Sequence, residues 1–93
     1  MFVHIAIHHP RSGQEQGLID SMHRFGAAAR TQPGLREVHT LRDPNSGALV
    51  GMAIWETKEA WLVARRVMWD AVKDDNFGDW EDAPPEVFQL EVV

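Results

Sequence analysis

The chain contains no cysteine. Disulfides, a thiol nucleophile and a thiolate metal site are therefore all excluded. It is also short of positive charge, with 9 lysines and arginines against 14 aspartates and glutamates and a net charge of −5. Only Arg65 and Arg66 are adjacent, so the basic stripe that a nucleic-acid binder needs is missing. Long apolar runs are missing too. Met1 to Ile7 is apolar but short, has no basic lead-in and contains His4, which does not read as a signal peptide. No stretch approaches the roughly 20 apolar residues that span a bilayer. There is no internal repeat, low-complexity tract or linker. These absences leave one cytoplasmic domain over residues 1–93, with neither nucleic acid nor membrane among its expected partners. A chain this short buries only about 60% of its unfolded surface, so a second subunit would help it.

What is present reads in order. Phe2 to His8 alternates as a strand, with Val3, Ile5 and Ile7 on one face and Phe2, His4, Ala6 and His8 on the other. Ser12-x-x-Glu15 has the spacing of a capping box, predicting a helix whose inner stripe is Leu18, Met22, Phe25 and Ala29, flanked by Ile19 and Gly26. Pro33-Gly34 stops that helix by about Thr31. Leu35 to Arg42 is a second strand, and its weak apolar alternation suits a sheet edge. It places Leu35, Glu37, His39 and Leu41 on one face. The turn residues of Asp43-Pro44-Asn45-Ser46-Gly47 predict a hairpin into a central strand that ends at Trp55. Thr57 can cap a helix running to about Lys73, with Ala60, Trp61, Ala64, Val67, Met68, Ala71 and Val72 inward and Leu62 and Trp69 on the other side. The acidic stretch Asp74 to Asp82 carries Phe77 and Trp80, which a plain solvated loop would not; it is expected to fold back, over Leu62 and Trp69. Val87 to Val93 forms the last strand.

The order strand, helix, strand, strand, helix, strand builds an α+β, ferredoxin-like βαββαβ domain with a four-stranded antiparallel sheet. Both helices lie on one sheet face. One face carries Val3, Ile5, Ile7, Val50, Met52, Ile54, Phe88, Leu90 and Val92, the other Phe2, Ala6, Leu35, Leu41, Leu49, Ala53, Trp55 and Val87, so whichever the helices leave bare is too apolar for water. A homodimer joined through these sheet faces is the expected remedy.

Pro33-Gly34, the hairpin, and Trp55-Glu56-Thr57-Lys58-Glu59-Ala60-Trp61 together resemble the antibiotic biosynthesis monooxygenase family, a branch of the dimeric α/β-barrel superfamily. The resemblance extends over nearly the whole chain in element order and length. It implies a protomer that dimerises into an α/β barrel, with a pocket between sheet and helices. It also implies a cofactor-independent oxygenase acting on a small aromatic, polyketide-like or quinol substrate. In the family's polyketide oxygenases the strand tryptophan lines the pocket, and Trp55 matches it. Those enzymes carry asparagine where this chain has Gly51 and tyrosine where it has Trp61. Haem-degrading relatives need a tryptophan and a histidine at the positions of Ala64 and Asp74, so haem is not an expected cofactor.

The residues then arrange themselves into a candidate site. His4 is the first choice as base and His39 the second, because a neutral imidazole can take a phenolic proton near neutral pH. Trp55 is placed beside them, with Trp61 completing an aromatic wall. Gly51 leaves room, and Glu37, Met22 and Phe25 complete the substrate lining. His4, His39 and Glu37 are types that could ligate zinc or iron, but no ligand pair stands at i, i+4 spacing, and no metal is assigned. Three other readings use the same residues. The indoles can be plain core, since they bury large area wherever they fall. The domain can be a non-catalytic binder of a small aromatic ligand, or an isomerase or cyclase that uses no oxygen.

Overall fold

The computed structural model describes residues 1–93. Its elements are β1 (Phe2–His8), α1 (Glu15–Ala29), β2 (Leu35–Arg42), β3 (Leu49–Trp55), α2 (Lys58–Asp70), α3 (Phe77–Trp80) and β4 (Glu86–Glu91). The strands form one antiparallel sheet in the order β2-β3-β1-β4. The weakly apolar β2 is indeed an edge. This is the expected ferredoxin-like α+β arrangement, and the chain alone is an open sheet, not a closed barrel. The shortest molecular axis is 17 Å, the thickness of one sheet and one helical layer. No helix is long and apolar enough to cross a membrane.

Local chemistry explains most boundaries. Thr57 caps α2 through its side chain, which accepts a 3.1 Å bond from the Ala60 N–H. In the β2–β3 hairpin the Asp43 carboxylate accepts from the Asn45 N–H at 2.9 Å and the Ser46 hydroxyl at 2.8 Å, and Gly47 adopts φ +78°. Those two donors hold the Asp43 pKa below its ordinary value. Gly34 is required twice over: its φ is +88°, and a Cβ there would lie 2.7 Å from that of Ala60.

The helices differ from expectation at their ends. The Ser12–Glu15 capping box does not form. Gly13, at φ +81°, turns the chain so that Gln14 becomes the N-cap without a side-chain bond, and Glu15 reaches only the Gly13 N–H at 3.4 Å. α2 ends at Asp70, short of the expected Lys73, and Val67 and Ala71 are exposed while Trp61, Ala64, Met68 and Val72 are buried.

The core has two parts. Phe2, Ala29, Ala53, Trp55, Trp61, Ala64 and Met68 pack at one end of the sheet. Leu18, Met22 and Leu49 pack at the other, with Ile19, Phe77 and Trp80 against them. The acidic segment does fold back. Phe77 stacks on Trp69 with ring centres 6.4 Å apart, and Trp80 meets Phe77 edge-on at 5.9 Å. Trp69 nevertheless keeps 53% of its surface exposed and Leu62 39%, so the segment covers this side of α2 only in part.

Candidate functional site

Cross-strand register decides where space is left under the helices. On that sheet face the side chains form rows perpendicular to the strands. The first row is Leu35, Trp55, Phe2 and Glu91; the second is Val38, Ala53, His4 and Gln89. The third is Thr40, Gly51, Ala6 and Val87, and the fourth Arg42, Leu49 and His8. The first row is filled by two aromatic rings. The third has a glycine beside an alanine on its central strands, and little rises from it to meet the helices. A cavity of about 290 Å³ opens there, near the lower end of the range for small-molecule pockets.

Its floor is Ala6, Gly51, Thr40 and Val87, and its roof is Ser21, Met22 and Phe25 of α1. Trp69, Phe77 and Pro85 close the side toward β4. Val87 and Trp69 are each about half exposed, which places the mouth between the β4 edge and the end of α2. Met22 Cε would lie 3.5 Å from a Cβ at position 51, so a side chain there would meet the roof. Apart from His4, His8, His39, Ser21 and Thr40 the named walls are apolar.

The expected site residues divide. His4, Gly51, Met22 and Phe25 line the cavity. Trp55 and Trp61 do not; they belong to the packed first row and the helix above it, and Trp55 is wholly buried. The hollow therefore lies two rows from Trp55, over Ala6 and Gly51. The Trp55 Nε1–H finds no hydrogen-bond partner there, a cost of about 1–3 kcal/mol. Trp61 still touches the site indirectly, because its ring stacks on that of His4 at 5.2 Å and 25°.

Glu37 and His39 need correction. A β-bulge between Leu35 and Glu37 sets two β2 residues against one of β3. Strand alternation is thereby reversed, since one added residue moves every later side chain to the other face. Val38 and Thr40 turn toward the helices, and Glu37, His39 and Leu41 turn to the outer face with Ile54, Met52 and Val50. There His39 Nε2 lies 3.6 Å from Glu37 Oε1, both half exposed. His39 borders the cavity only as part of the β2 wall between Val38 and Thr40. The set His4, Glu37 and His39 consequently does not converge, and no cluster of three or more potential ligands exists in the structure.

His4 sits in the second row, between Trp61 and the cavity. Burial pushes its pKa below the ordinary 6.5, because an imidazolium there would lose hydration with no carboxylate in compensation. The ring is therefore neutral at neutral pH and able to accept a proton.

The structure adds a pair that the sequence did not reveal. His8 also lines the cavity, and its Nδ1 lies 2.8 Å from Glu81 Oε1. Alternation along β1 puts His8 on the face of His4, but 73 residues separate it from Glu81, and no local pattern links them.

Known structures can now be compared. Rv0793 from Mycobacterium tuberculosis superposes with a TM-score of 0.85 at 18% identity, covering 99% of this chain and 94% of that one. A Nitrosomonas europaea protein named as a candidate antibiotic biosynthesis monooxygenase gives 0.80 at 13% identity, covering 100% and 99%. SnoaB, a cofactor-independent oxygenase from Streptomyces nogalater, gives 0.76 at 15%, covering 99% and 92%. The fold is that of the antibiotic biosynthesis monooxygenases. No family model matches the sequence, and no curated protein does. The likeness to these structures is thus one of fold.

Proposed function

We propose that this protein is a cofactor-independent monooxygenase acting on a small aromatic substrate of the phenol or quinol type, bound over the Ala6–Gly51 row. One observation carries the reading: a half-buried imidazole, His4, its pKa lowered by desolvation, stands in the wall of a mostly apolar cavity, on a monooxygenase-type fold. A phenol is a poor electron donor to O₂ until it is deprotonated. His4 takes the proton. The resulting anion passes one electron to O₂, and the radical pair joins at carbon as a peroxide. Where that ring carbon bears a hydrogen, His4 returns its proton to the peroxide, and loss of water with the carbon's hydrogen leaves a carbonyl. One oxygen atom stays on carbon, the other leaves with two hydrogens, and the substrate supplies all four electrons. No separate reductant enters the balance.

In this reading Met22 and Phe25 hold the ring system, and Gly51 keeps the floor low. Trp61 fixes the plane of the His4 ring, and Trp55 supports that end of the sheet; both are positioning residues. Glu37 and His39 face away and take no part within one subunit. The protein works as a homodimer joined through the outer sheet faces, supported by the row of half-buried Val3, Ile5, Ile7, Val50, Met52 and Ile54.

Oxygen uptake tests the proposal with wild type, His4→Ala and Trp55→Phe on a panel of phenolic polyketides and quinols. Wild type should consume one O₂ per substrate, and His4→Ala should be slower by about 10²–10⁴-fold. No uptake by wild type across the panel defeats it. A second reading, a binding module without catalysis, is favoured by Gly51 and Trp61 standing where the resembled enzymes carry asparagine and tyrosine. It predicts a raised Tm with small aromatics that are then recovered unchanged.

A further inference from the structure

Two of the cavity's imidazoles stand on β1, and only one of them has a role so far. His4 and His8 lie on the same face of β1 with Ala6 between them, about 13 Å apart along the strand. His8 is held differently from His4. The segment after α3 runs beside the end of β1, where Pro10 and Glu81 form an antiparallel bridge. The Arg11 N–H donates to the Trp80 carbonyl at 2.7 Å, and the Asp82 N–H donates to the His9 carbonyl at 2.9 Å. These two bonds flank Glu81 and deliver its carboxylate to His8 Nδ1 at 2.8 Å.

The side chains of the pair are only 15% and 6% exposed. Burying a carboxylate is costly unless it is paired, and here no lysine or arginine reaches it; His8 is its one side-chain partner. The neighbouring His9–Glu86 pair, at 2.9 Å, is the contrast, with side chains 40% and 58% exposed and ordinary surface character. An ionised carboxylate can only accept, so the Nδ1 of His8 carries the proton and Nε2 is the nitrogen left for a ligand.

We infer that the His8–Glu81 pair forms a second oxygen-recognition point at the far end of the cavity from His4. The preferred ligand is therefore an aromatic carrying oxygen functions at both ends of a short fused-ring system. His8 hydrogen-bonds the second hydroxyl through Nε2, and Glu81 is a positioning residue that holds the ring through Nδ1. The inference rests on the small-aromatic reading of the cavity and adds the substitution pattern of the ligand.

Binding measured calorimetrically under argon tests it without any turnover. The probes are 2,6-dihydroxynaphthalene and 2-naphthol. Wild type should bind the diol about tenfold more tightly than the mono-ol, the worth of one further hydrogen bond. His8→Ala should abolish that advantage and change the mono-ol affinity by no more than about twofold, since His4 still serves it. His9→Ala should leave the advantage intact. Glu81→Gln can offer an amide N–H to Nδ1, so the diol advantage should shrink severalfold while long-range ¹⁵N–¹H spectra show the His8 proton moving to Nε2. This variant also decides the matter should His8→Ala not fold. A diol advantage that survives His8→Ala, or a wild type with none, overturns the inference. Oxygen uptake is scored separately: a diol advantage without uptake sinks the oxygenase and leaves this pair standing, and uptake without the advantage does the reverse.

Discussion

His4 shows how one residue's surroundings set its chemistry. It is stacked on Trp61 and sealed from water on that side, and burial lowers its pKa from 6.5. The sign for stability follows by linkage. In the unfolded chain the ring takes up a proton at its ordinary pKa, whereas in the folded protein it resists until lower pH. The unfolded state thus binds more protons in that interval, and folding stability falls as pH drops below 6.5 toward the folded value. Above 6.5 the group costs nothing of this kind. His4→Gln should remove this component, so the stability difference between wild type and variant, from urea midpoints, should narrow or reverse as the pH is lowered through that interval. The acid limb of kcat/KM should fall below pH 6.5 for the same reason. An acid limb centred above 6.5 would mean that another group is the base.

Among the elements, α3 is the one whose purpose is least evident from its own length. Its four residues hold a ladder of aromatic rings, Trp69 to Phe77 to Trp80, that ends against α1 at Gly17. A Cβ on residue 17 would come within 2.8 Å of the Trp80 indole, so the glycine there is the socket for that ring. The ladder closes one side of the cavity and holds Glu81 beside His8. Trp80→Ala should lower stability by about 1–3 kcal/mol, less than for a fully buried indole, because Trp80 keeps part of its surface in water. Hydrogen exchange at residues 77–82 should accelerate more than that of β1 and β3. Uniform acceleration would mean that the segment is merely part of the global core. Aromatic residues in an acidic run were a readable sign that the segment folds back, because exposed rings there would have no reason to exist. Trp69 was expected beneath the segment; Gly17 as the socket for Trp80 was not readable, since it comes from another helix, α1.

For the molecule as a whole, the unanswered surface is the outer sheet face. Ile5 lies at its centre, opposite Met52 on one side and Phe88 on the other. Phe88 and Leu90 are 44% and 43% exposed in the single chain, far more than such side chains keep in a core. The protein should sediment as a dimer at micromolar concentration. Ile5→Lys should weaken the dimer by roughly 100-fold or more, since an unpaired charge at a buried centre costs about 3–5 kcal/mol. A wild-type monomer that stays soluble and compact would refute the assembly.

The alternation of β1 and β3, the glycine after Pro33, the Thr57 cap and the turn chemistry of residues 43–47 are short-range effects, and they were enough for the element order, the sheet and its apolar outer face. The family resemblance then put His4 and Gly51 under the helices. Three features escaped both, each for the same kind of reason. The bulge at the start of β2 is a choice between registers that no residue of β2 dictates, and it alone turned Glu37 and His39 away. The room expected at Gly51 lay two rows from Trp55, because Ala6 and Gly51 on neighbouring strands came into one row. Glu81 met His8 because the chain returned to the end of β1 from the far side of the molecule. Distances along the backbone carry the first kind of information, and contacts between remote segments carry the second.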